Sequence, residues 1–523
     1  MNTPTGSVQF KVFANLYKDS VTLMQIGAKL RERDGVAQAS CLMATPANLA
    51  QLRDADLTID AQVSPSDLLV VVRGDATACE EAIEAAQAML QSAGSAGDTG
   101  TAAFSLPLTS LALAVEHAPD ADLALISVPG DYAAAEAMKA LSLGLHVMLF
   151  SDNVSIGDEK AIKTRAREKG LLVMGPDCGT AIINGIPLGF ANVVRRGDIG
   201  LVAASGTGLQ EVTCRIHNLG GGVSQALGTG GRDLKEDIGG ITMLQGLGAL
   251  ADDAQTRVIV LISKPPSPAI ARQILSAAVA AGKAIVVHFL GAAPDELRQT
   301  GLYAAQSLRH AADIAVALSL GHSPPASSAP LPSSAIAAID DRAAAMAPTQ
   351  RAVRALFTGG TFCYEAQLAF TARGLPCRSN APVQGAMAFG GRYDGHVFLD
   401  MGDDDYTRGR PHPMIDPSLR NDAVRAQGAD PNTAAILFDV VLGFGAHADP
   451  ARDLAIALSA AQSEARAHGR TLAMIGHVCG TDGDPQNKAA QIAALEAAGA
   501  FVAGSNAEAA LLAAHLAARL WRA

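Results

Sequence analysis

The sequence predicts an α/β protein built from several flavodoxin-like or Rossmann-like domains with doubly wound parallel sheets, preceded by a small α+β domain. Only 4% of the residues are aromatic, whereas 51 are glycine, which suits helices packed closely on sheets. Short apolar runs alternate with helical patterns through the middle and the end of the chain, as in a sheet covered on both faces. Two low-complexity stretches, Ser92–Ala102 and Ser323–Ser334, divide the 523 residues into three pieces.

The front piece, residues 1–92, alternates strand-like and helix-like runs and fits a β-α-β-β-α-β module of the ferredoxin or ACT type. Such modules bind small regulators or form oligomers, and simple packing against the rest of the chain is the other interpretation. The predicted elements are strands at Val8–Tyr17, Gln38–Ala44 and Asp67–Arg73, with helices at Ser20–Arg33 and Thr77–Leu90.

The remaining residues predict three larger units. Residues 103–195 form a CoA-binding-like Rossmann domain, and residues 196–322 form a flavodoxin-like domain. Residues 323–350 are a linker whose Pro- and Ser-rich start, Ser323–Ser334, should be extended, and residues 351–523 form a second flavodoxin-like domain. Ligands of such sheets bind beyond the carboxyl ends of the strands, so the functional turns should lie there.

Composition excludes several classes of function. A formal net charge of −11, with no basic run and no aromatic platform, argues against nucleic-acid binding. The seven cysteines are scattered without a C-x-x-C pair, which indicates reduced thiols in a cytoplasmic protein and no metal site. No signal peptide and no membrane-spanning stretch are visible, so no membrane partner is expected.

The turn Ala204–Glu211 (ASGTGLQE) follows the apolar strand Ile199–Ala203 and opens a helix. Free N–H groups and the positive end of the helix dipole suit an anion at Ser205, Gly206, Thr207 and Gly208. The stretch matches neither G-x-G-x-x-G, nor the P-loop, nor the G-x-S-x-G nucleophile elbow. An anion cradle and a simple helix cap both remain open.

A second turn, Thr358–Glu365 (TGGTFCYE), has the same small-Gly-Thr frame at the matching place in the last unit. We predict that the two turns face each other across a domain interface. Gly359, Gly360 and Thr361 would then hold one anion together with Ser205–Gly208.

Other candidates are Gly230, Gly231, Arg232 and Asp233, where a fork-shaped guanidinium stands beside a flexible turn. The alternative is an Arg–Asp pair that locks the loop. His412 lies in the acid-rich loop Met401–Pro413, which is either a solvated loop on the substrate side or a metal-binding loop. His447 follows a strand and either polarises a carbonyl or is part of a polar turn.

These stretches make the chain resemble the FdrA family over essentially its whole length. The resemblance rests on Met174–Phe190 (MGPDCGTAIINGIPLGF), Ala204–Val212, Gly228–Asp233 (GTGGRD), Ser263–Pro266 (SKPP) and Thr358–Glu365. The middle piece more distantly resembles the α subunit of succinyl-CoA synthetase, and the last piece resembles the C-terminal part of its β subunit. In those ligases two helix N-termini hold phosphate from opposite sides.

The chain also departs from the ligases. Phe104–Ala121 contains no glycine for a CoA phosphate loop, and Gly291–Gln306, which matches the loop of the phosphorylated histidine, contains no histidine. His310 does not fit that loop, and the ATP-grasp portion is missing. These departures argue against CoA binding and phosphohistidine chemistry.

The FdrA resemblance implies a subunit of oxamate carbamoyltransferase, which moves a carbamoyl group between oxalurate and phosphate in allantoin degradation, giving oxamate and carbamoyl phosphate. Phosphate is then a substrate, no cofactor is required, and the partners are other subunits and further copies of the chain. The alternatives are an ADP- or GDP-forming acyl-CoA synthetase and a non-catalytic anion-binding subunit. The expected catalytic residues are Arg232, His412 and His447, with Gly230, Gly231, Asp233 and Asn184 binding substrate.

Overall fold

The computed structural model describes residues 6–92, 108, 110–292, 297, 301–407 and 410–522, and within them the strands form four sheets. Two sheets have seven strands and two have three. The expected α/β class, with a small α+β domain at the front, is confirmed. No helix in these ranges is both long and apolar enough to cross a membrane.

The front module is an antiparallel sheet in the order β1-β3-β2, with helices packed on it. Helix α2 separates the second and third strands because Thr45 caps it and Pro46 starts it, so residues 6–92 run β-α-β-α-β-α. A fourth strand would follow α3, among residues that are not described. The elements are β1 Ser7–Phe13, α1 Ser20–Arg31, β2 Val36–Met43, α2 Pro46–Asp54, β3 Leu68–Gly74 and α3 Ala76–Ser92.

A small parallel sheet in the order β4-β5-β6 follows. Ser155 caps helix α6, and Asp158 and Glu159 in its first turn complement the helix dipole. The elements are α4 Leu111–His117, β4 Leu123–Ile126, α5 Gly130–Ser142, β5 His146–Leu149, α6 Ile156–Glu168 and β6 Val173–Met174.

The first seven-stranded sheet has the order β13-β12-β11-β9-β10-β7-β8. The hairpin of β7 and β8, predicted to lie in the domain 103–195, extends this sheet instead because β7 pairs with β10. Its strands are β7 Thr180–Ile183, β8 Ile186–Gly189, β9 Arg196–Ala204, β10 Val223–Gly228, β11 Val258–Ser263, β12 Ala284–Phe289 and β13 Tyr303–Ala304. Its helices are α7 Gly206–Asn218, α8 Ile241–Asp252, α9 Pro268–Ala280 and α10 Leu308–Ser319.

The second seven-stranded sheet has the order β16-β15-β17-β14-β18-β19-β20, with parallel pairing throughout. Its strands are β14 Ala352–Phe357, β15 Cys377–Ser379, β16 Met387–Ala388, β17 His396–Asp400, β18 Thr433–Val441, β19 Ala473–Cys479 and β20 Phe501–Ala503. Its helices are α12 Gly360–Thr371, α13 Asp404–Thr407, α14 Ser418–Ala426, α15 Pro450–Ala467, α16 Lys488–Ala497 and α17 Asn506–Arg522.

The central part of the predicted linker 323–350 forms helix α11, Ser333–Ala344, and so is not a simple connection between two domains. Ala335, Ile339 and Ala343 repeat every four residues and are buried, so one face of the helix joins the core. That same apolar core contains residues of both seven-stranded sheets, including Leu201 and Leu437, and of the helices packed on them, including Ile216 and Phe362. The two large units are therefore packed against each other as one body.

Candidate functional site

A cavity of about 760 Å³ lies where the front module, the small sheet and both large sheets meet. The carboxyl ends of β9, β10 and β17 line it through Ala204, Gly228 and Asp400, as expected for open parallel sheets. The turns that follow β4, β5 and β6 line it as well. All parts of the described chain thus contribute to one site.

The two turns predicted to face each other do so at this cavity. Ser205 Oγ and Thr361 Oγ1 are 2.7 Å apart, and both side chains are buried. Helices α7 and α12 begin at these turns, so their N-termini meet at one point. Gly206, Thr207, Gly360 and Thr361 line the cavity.

Two of the predicted phosphate-binding residues do not offer their N–H groups to a ligand. Gly208 N donates to Ser205 Oγ at 3.0 Å, which is the ordinary cap of helix α7. Gly359 N donates at 2.8 Å to Asp439 Oδ2, a buried carboxylate that also accepts from Thr358 N at 2.7 Å. Gly208 and Gly359 are therefore structural.

The two helix N-termini also differ in charge. The carboxylate of Asp400 lies directly against Gly360, at the start of α12, where an added Cβ would collide with it. Burial raises the pKa of Asp400 to about 6, while Lys264 lowers it. Neither helix has an acidic residue in its own first turn, but an added Cβ on Gly206 of α7 would meet only Thr180 Oγ1, at 3.8 Å. The start of α7 is therefore the better site for an anion.

The cavity walls carry charges of both signs. The cations are Lys18, Arg232, Lys264 and Arg410, and the carboxylates are Asp131, Asp152, Asp177, Asp400, Asp403 and Asp404. The Asp177 side chain is exposed to the cavity, whose walls desolvate it in part. Burial, followed by the charge of Asp152, raises the pKa of Asp177 to about 7, against the opposing charges of Lys264 and Arg232. Its proton therefore exchanges near neutral pH.

Arg232 lines the cavity with part of its guanidinium exposed. It donates to Val154 O at 2.7 Å and pairs with Glu159 at 2.9 Å, so it does not form the alternative Arg–Asp pair with its neighbour. Gly230 and Gly231 line the cavity beside it.

Asp233 lies outside the cavity lining and is fully buried, contrary to its predicted role in substrate binding. It pairs with the buried amine of Lys163 at 2.8 Å. It also accepts from Thr242 N and Met243 N at the start of α8, at 3.2 and 2.9 Å. These partners use both of its oxygens, so Asp233 caps a helix and stabilises the loop.

His412 lines the cavity, and burial lowers its pKa to about 4. Its Nδ1 accepts from Met414 N at 3.2 Å, so the neutral ring carries its proton on Nε2. A neutral imidazole in a cavity wall is a hydrogen-bond donor suited to a carbonyl oxygen.

His447 and Asn184, both predicted site residues, lie outside the cavity lining. His447 Nε2 is 3.5 Å from Glu32 Oε1 of the front module, and its backbone N–H donates to Met414 O. Asn184 lies in the exposed turn of the β7–β8 hairpin and bonds to Gln225. Neither side chain reaches the cavity.

The sequence did not reveal a buried network behind the two turns. Glu211 accepts from His477 Nε2 at 2.7 Å, and Glu365 accepts from Asn506 Nδ2 at 2.8 Å. Asn506 N also donates to Glu211, at 3.4 Å. A glutamate in each of the two turns could have indicated that both take part in a network. The partners of the two glutamates could not be identified, because they lie more than 140 residues away in sequence.

Three family models match parts of the chain. "AllF, heavy metal-associated domain" matches residues 6–105, "CoA binding domain" matches 194–291, and "CoA-ligase" matches 356–516. The CoA-binding match thus falls on the first flavodoxin-like domain rather than on residues 103–195.

The described residues of the front module do not fit a heavy-metal site. Cys41 and Cys79 are buried on different elements, and burial raises the pKa of Cys41 to about 12. Across the described ranges, no three His, Cys, Asp or Glu side chains gather to hold a metal ion. That match therefore indicates the fold of the module alone.

Curated relatives include two kinds of protein. Over 511 residues, covering 97% of this chain and 98% of the relative, the chain is 43% identical to the uncharacterized protein YahF of Escherichia coli. It is 28% identical over 172 residues to succinate–CoA ligase [ADP-forming] subunit alpha 2 of Archaeoglobus fulgidus, covering 32% of this chain and 58% of that subunit.

Among solved structures, the dinucleotide forming acetyl-coenzyme A synthetase 1 of Ca. Korarchaeum cryptofilum aligns with a TM-score of 0.33 and 16% identity, over 76% of this chain and 83% of that one. The full-length similarity to YahF and the three domain matches together decide the family. The chain belongs with YahF to a succinyl-CoA synthetase-like family.

Proposed function

We propose that the protein is a subunit of an acid–CoA ligase-like enzyme and that its cavity transfers an acyl group to or from phosphate. The observation that carries this proposal is the 2.7 Å contact between Ser205 and Thr361, which brings two helix N-termini to one point on the cavity. The CoA-binding and CoA-ligase matches support the class of enzyme.

Phosphate would lie at the start of helix α7. The N–H groups of Gly206 and Thr207 occupy the first turn, where no intrahelical carbonyl precedes them. The hydroxyls of Ser205 and Thr361 complete the binding site from both sides, and Lys264 and Arg232 contribute positive charge from the cavity wall.

The reaction needs a donor for the oxyanion and a group that moves a proton. A phosphate oxygen attacks the acyl carbon, forming a C–O bond, while the bond to the leaving group breaks and the leaving group takes up a proton. His412 Nε2–H can stabilise the oxyanion because the ring is neutral. Asp177, whose burial raises its pKa to about 7, can transfer the proton.

The cavity residues are compatible with CoA, which would supply the thiol that exchanges with phosphate. Lys18, Arg232, Lys264 and Arg410 would hold its phosphate groups. The aspartates on the same walls oppose such an anion, although burial keeps Asp177 and Asp400 partly protonated near neutral pH.

A second candidate is carbamoyl transfer between oxalurate and phosphate, with other subunits as partners. Two observations favour it because they argue against a phosphorylated histidine. Gly291–Gln306 contains no histidine. His310 is buried, with Nδ1 accepting from Gln306 N and Nε2 3.1 Å from Pro325 O. Phosphate would then attack the carbamoyl carbon directly, and the C–N bond would break as oxamate nitrogen takes up a proton.

The phosphate site is tested by calorimetric titration with inorganic phosphate. Gly206→Asp places a carboxylate at the helix start, which favours the helix but repels phosphate, so we expect at least a tenfold loss of affinity. Gly206→Ala is the matched control. Its Cβ would have only one neighbour within 4 Å, Thr180 Oγ1 at 3.8 Å, and the backbone N–H that binds phosphate remains. Equal affinity in the two variants would refute the site.

The reaction is tested with the purified chain, alone and with the products of neighbouring genes. Formation of acyl-CoA from an acid, CoA and ATP or GTP supports the first candidate. Phosphate-dependent loss of oxalurate without CoA supports the second and refutes the first. No turnover by any combination refutes both and leaves a subunit that only binds an anion.

A further inference from the structure

The front module forms one wall of the cavity. Helix α1 contributes Met24, strand β2 contributes Ala39–Met43, and helix α2 contributes Asn48. This wall is mostly apolar, whereas the walls from the other domains carry the aspartates and most of the cations. A ligand that fills the cavity therefore meets charge at one end and apolar side chains at the other.

Met24 and its neighbour Leu23 in helix α1 both line the cavity but differ in exposure. Leu23 is buried in the core of the module, whereas Met24 is half-buried. Helix α1 packs on β2 near Gly27, where an added Cβ would lie in ordinary van der Waals contact with Cys41 N, at 3.5 Å. Met43, at the end of β2, lines the same cavity as Met24.

The module is attached on both sides of the cavity. Arg31 pairs with Asp416 of the last domain and donates to Ser418 Oγ at 3.5 Å. On the other side, Tyr17 OH donates to Ser127 O, 3.4 Å away, in the small sheet. The apolar wall is thus fixed over the site rather than tethered loosely beside it.

We propose that the front module determines substrate size: the hydrocarbon part of a carboxylic acid packs against Met24 and Met43, while its carboxyl group points to the Gly206–Thr207 turn. This inference rests on the proposed acyl transfer and adds the class of acid that the site accepts. Met24 limits how long the hydrocarbon chain can be, because its side chain occupies the end of the cavity formed by the module.

The test uses straight-chain acids from acetate to octanoate, titrated into the full chain with saturating inorganic phosphate. Met24→Ala removes three side-chain atoms beyond Cβ, so the preferred acid should become two or three carbons longer. Each additional methylene that is buried should improve affinity about fourfold, equivalent to roughly 0.8 kcal/mol. Met24→Phe should shorten the preferred acid.

Met138→Ala is the matched control, because Met138 is exposed on α5, outside the cavity lining. Unchanged circular dichroism and phosphate affinity show that each variant is folded. An unchanged length preference in Met24→Ala, or an equal change in Met138→Ala, would overturn the inference. If phosphate binds and no acid does, the inference fails while the phosphate site stands; if phosphate does not bind, the proposed function itself fails.

Discussion

Glu211 Oε2 and His477 Nε2 lie 2.7 Å apart and join helix α7 of one large domain to strand β19 of the other. The other ring nitrogen, Nδ1, is 3.2 Å from Ala503 O, so both nitrogens face acceptors. The contact at Nε2 places the imidazole directly against the buried carboxylate of Glu211. This buried pair stabilises the junction at which the two turns meet.

We expect His477→Ala to destabilise the protein by about 3–5 kcal/mol, because it leaves the Glu211 carboxylate buried without its partner. Urea unfolding followed by circular dichroism measures the loss. His468→Ala, at an exposed position on the C-terminal side of α15, should cost little by comparison. A similar, small effect of both substitutions would contradict the role assigned to the pair.

Glu211 also makes stability depend on pH. Burial would raise its pKa, but His477 and the Asn506 N–H outweigh burial and lower it. A lowered carboxyl pKa contributes stability above the ordinary glutamate value of about 4.3 and loses it as the pH falls through the folded value. Unfolding measured between pH 6 and 3 should show this loss of stability towards acid, and the loss should be smaller in Glu211→Gln. An identical pH profile in the variant would contradict the role assigned to Glu211.

Asp177 should have the opposite effect on the pH profile. Its pKa of about 7 means that the folded state keeps a proton that the unfolded state releases, so stability falls as the pH rises towards 7. Asp177→Asn removes this cost, and asparagine tolerates the positive φ of 57°. The gain in Tm should be larger at pH 8 than at pH 5. Equal gains at both pH values would show that Asp177 is not protonated in the folded protein.

Asp439 holds the second turn in place. It accepts from Thr358 N, Thr358 Oγ1 and Gly359 N, and its carboxylate lies 3.8 Å from the buried guanidinium of Arg420. Asp439→Ala leaves these donors unpaired and should cost about 3 kcal/mol or more. Denaturant unfolding measures this loss, with exposed Asp422→Ala as the control. Wild-type stability of Asp439→Ala would refute the assignment.

The Arg31–Asp416 pair should determine how firmly the front module is attached. Both side chains are mostly buried, so Arg31→Ala leaves the Asp416 carboxylate without its cation. Hydrogen exchange should then become faster in α1 and β2, while the second seven-stranded sheet stays protected. Exposed Arg33→Ala provides the comparison. Unchanged exchange in Arg31→Ala would mean that other contacts hold the module.

Much of the fold could be predicted because it depends on short-range patterns. Apolar runs alternating with helical patterns predicted the parallel α/β class and strands such as Ile199–Ala203, and the shared small-Gly-Thr frame predicted that the turns of Ser205 and Thr361 face each other. Shorter strands such as β15 and β16 were not predicted. The linker prediction failed at Ala335, Ile339 and Ala343, because the buried face of α11 exists only against the neighbouring core.

The fold class and the two turns that open helices could be read from the sequence, because each depends on a local pattern of apolar and small residues. Which groups of those turns are available to a ligand depends on tertiary contacts. Asp439 accepts a hydrogen bond from Gly359 N, 80 residues earlier in the chain, and Lys163 pairs with Asp233, 70 residues later. The tertiary structure also places the front module over the cavity. Such pairings depend on how separate elements pack, and a local pattern carries no information about a partner that distant.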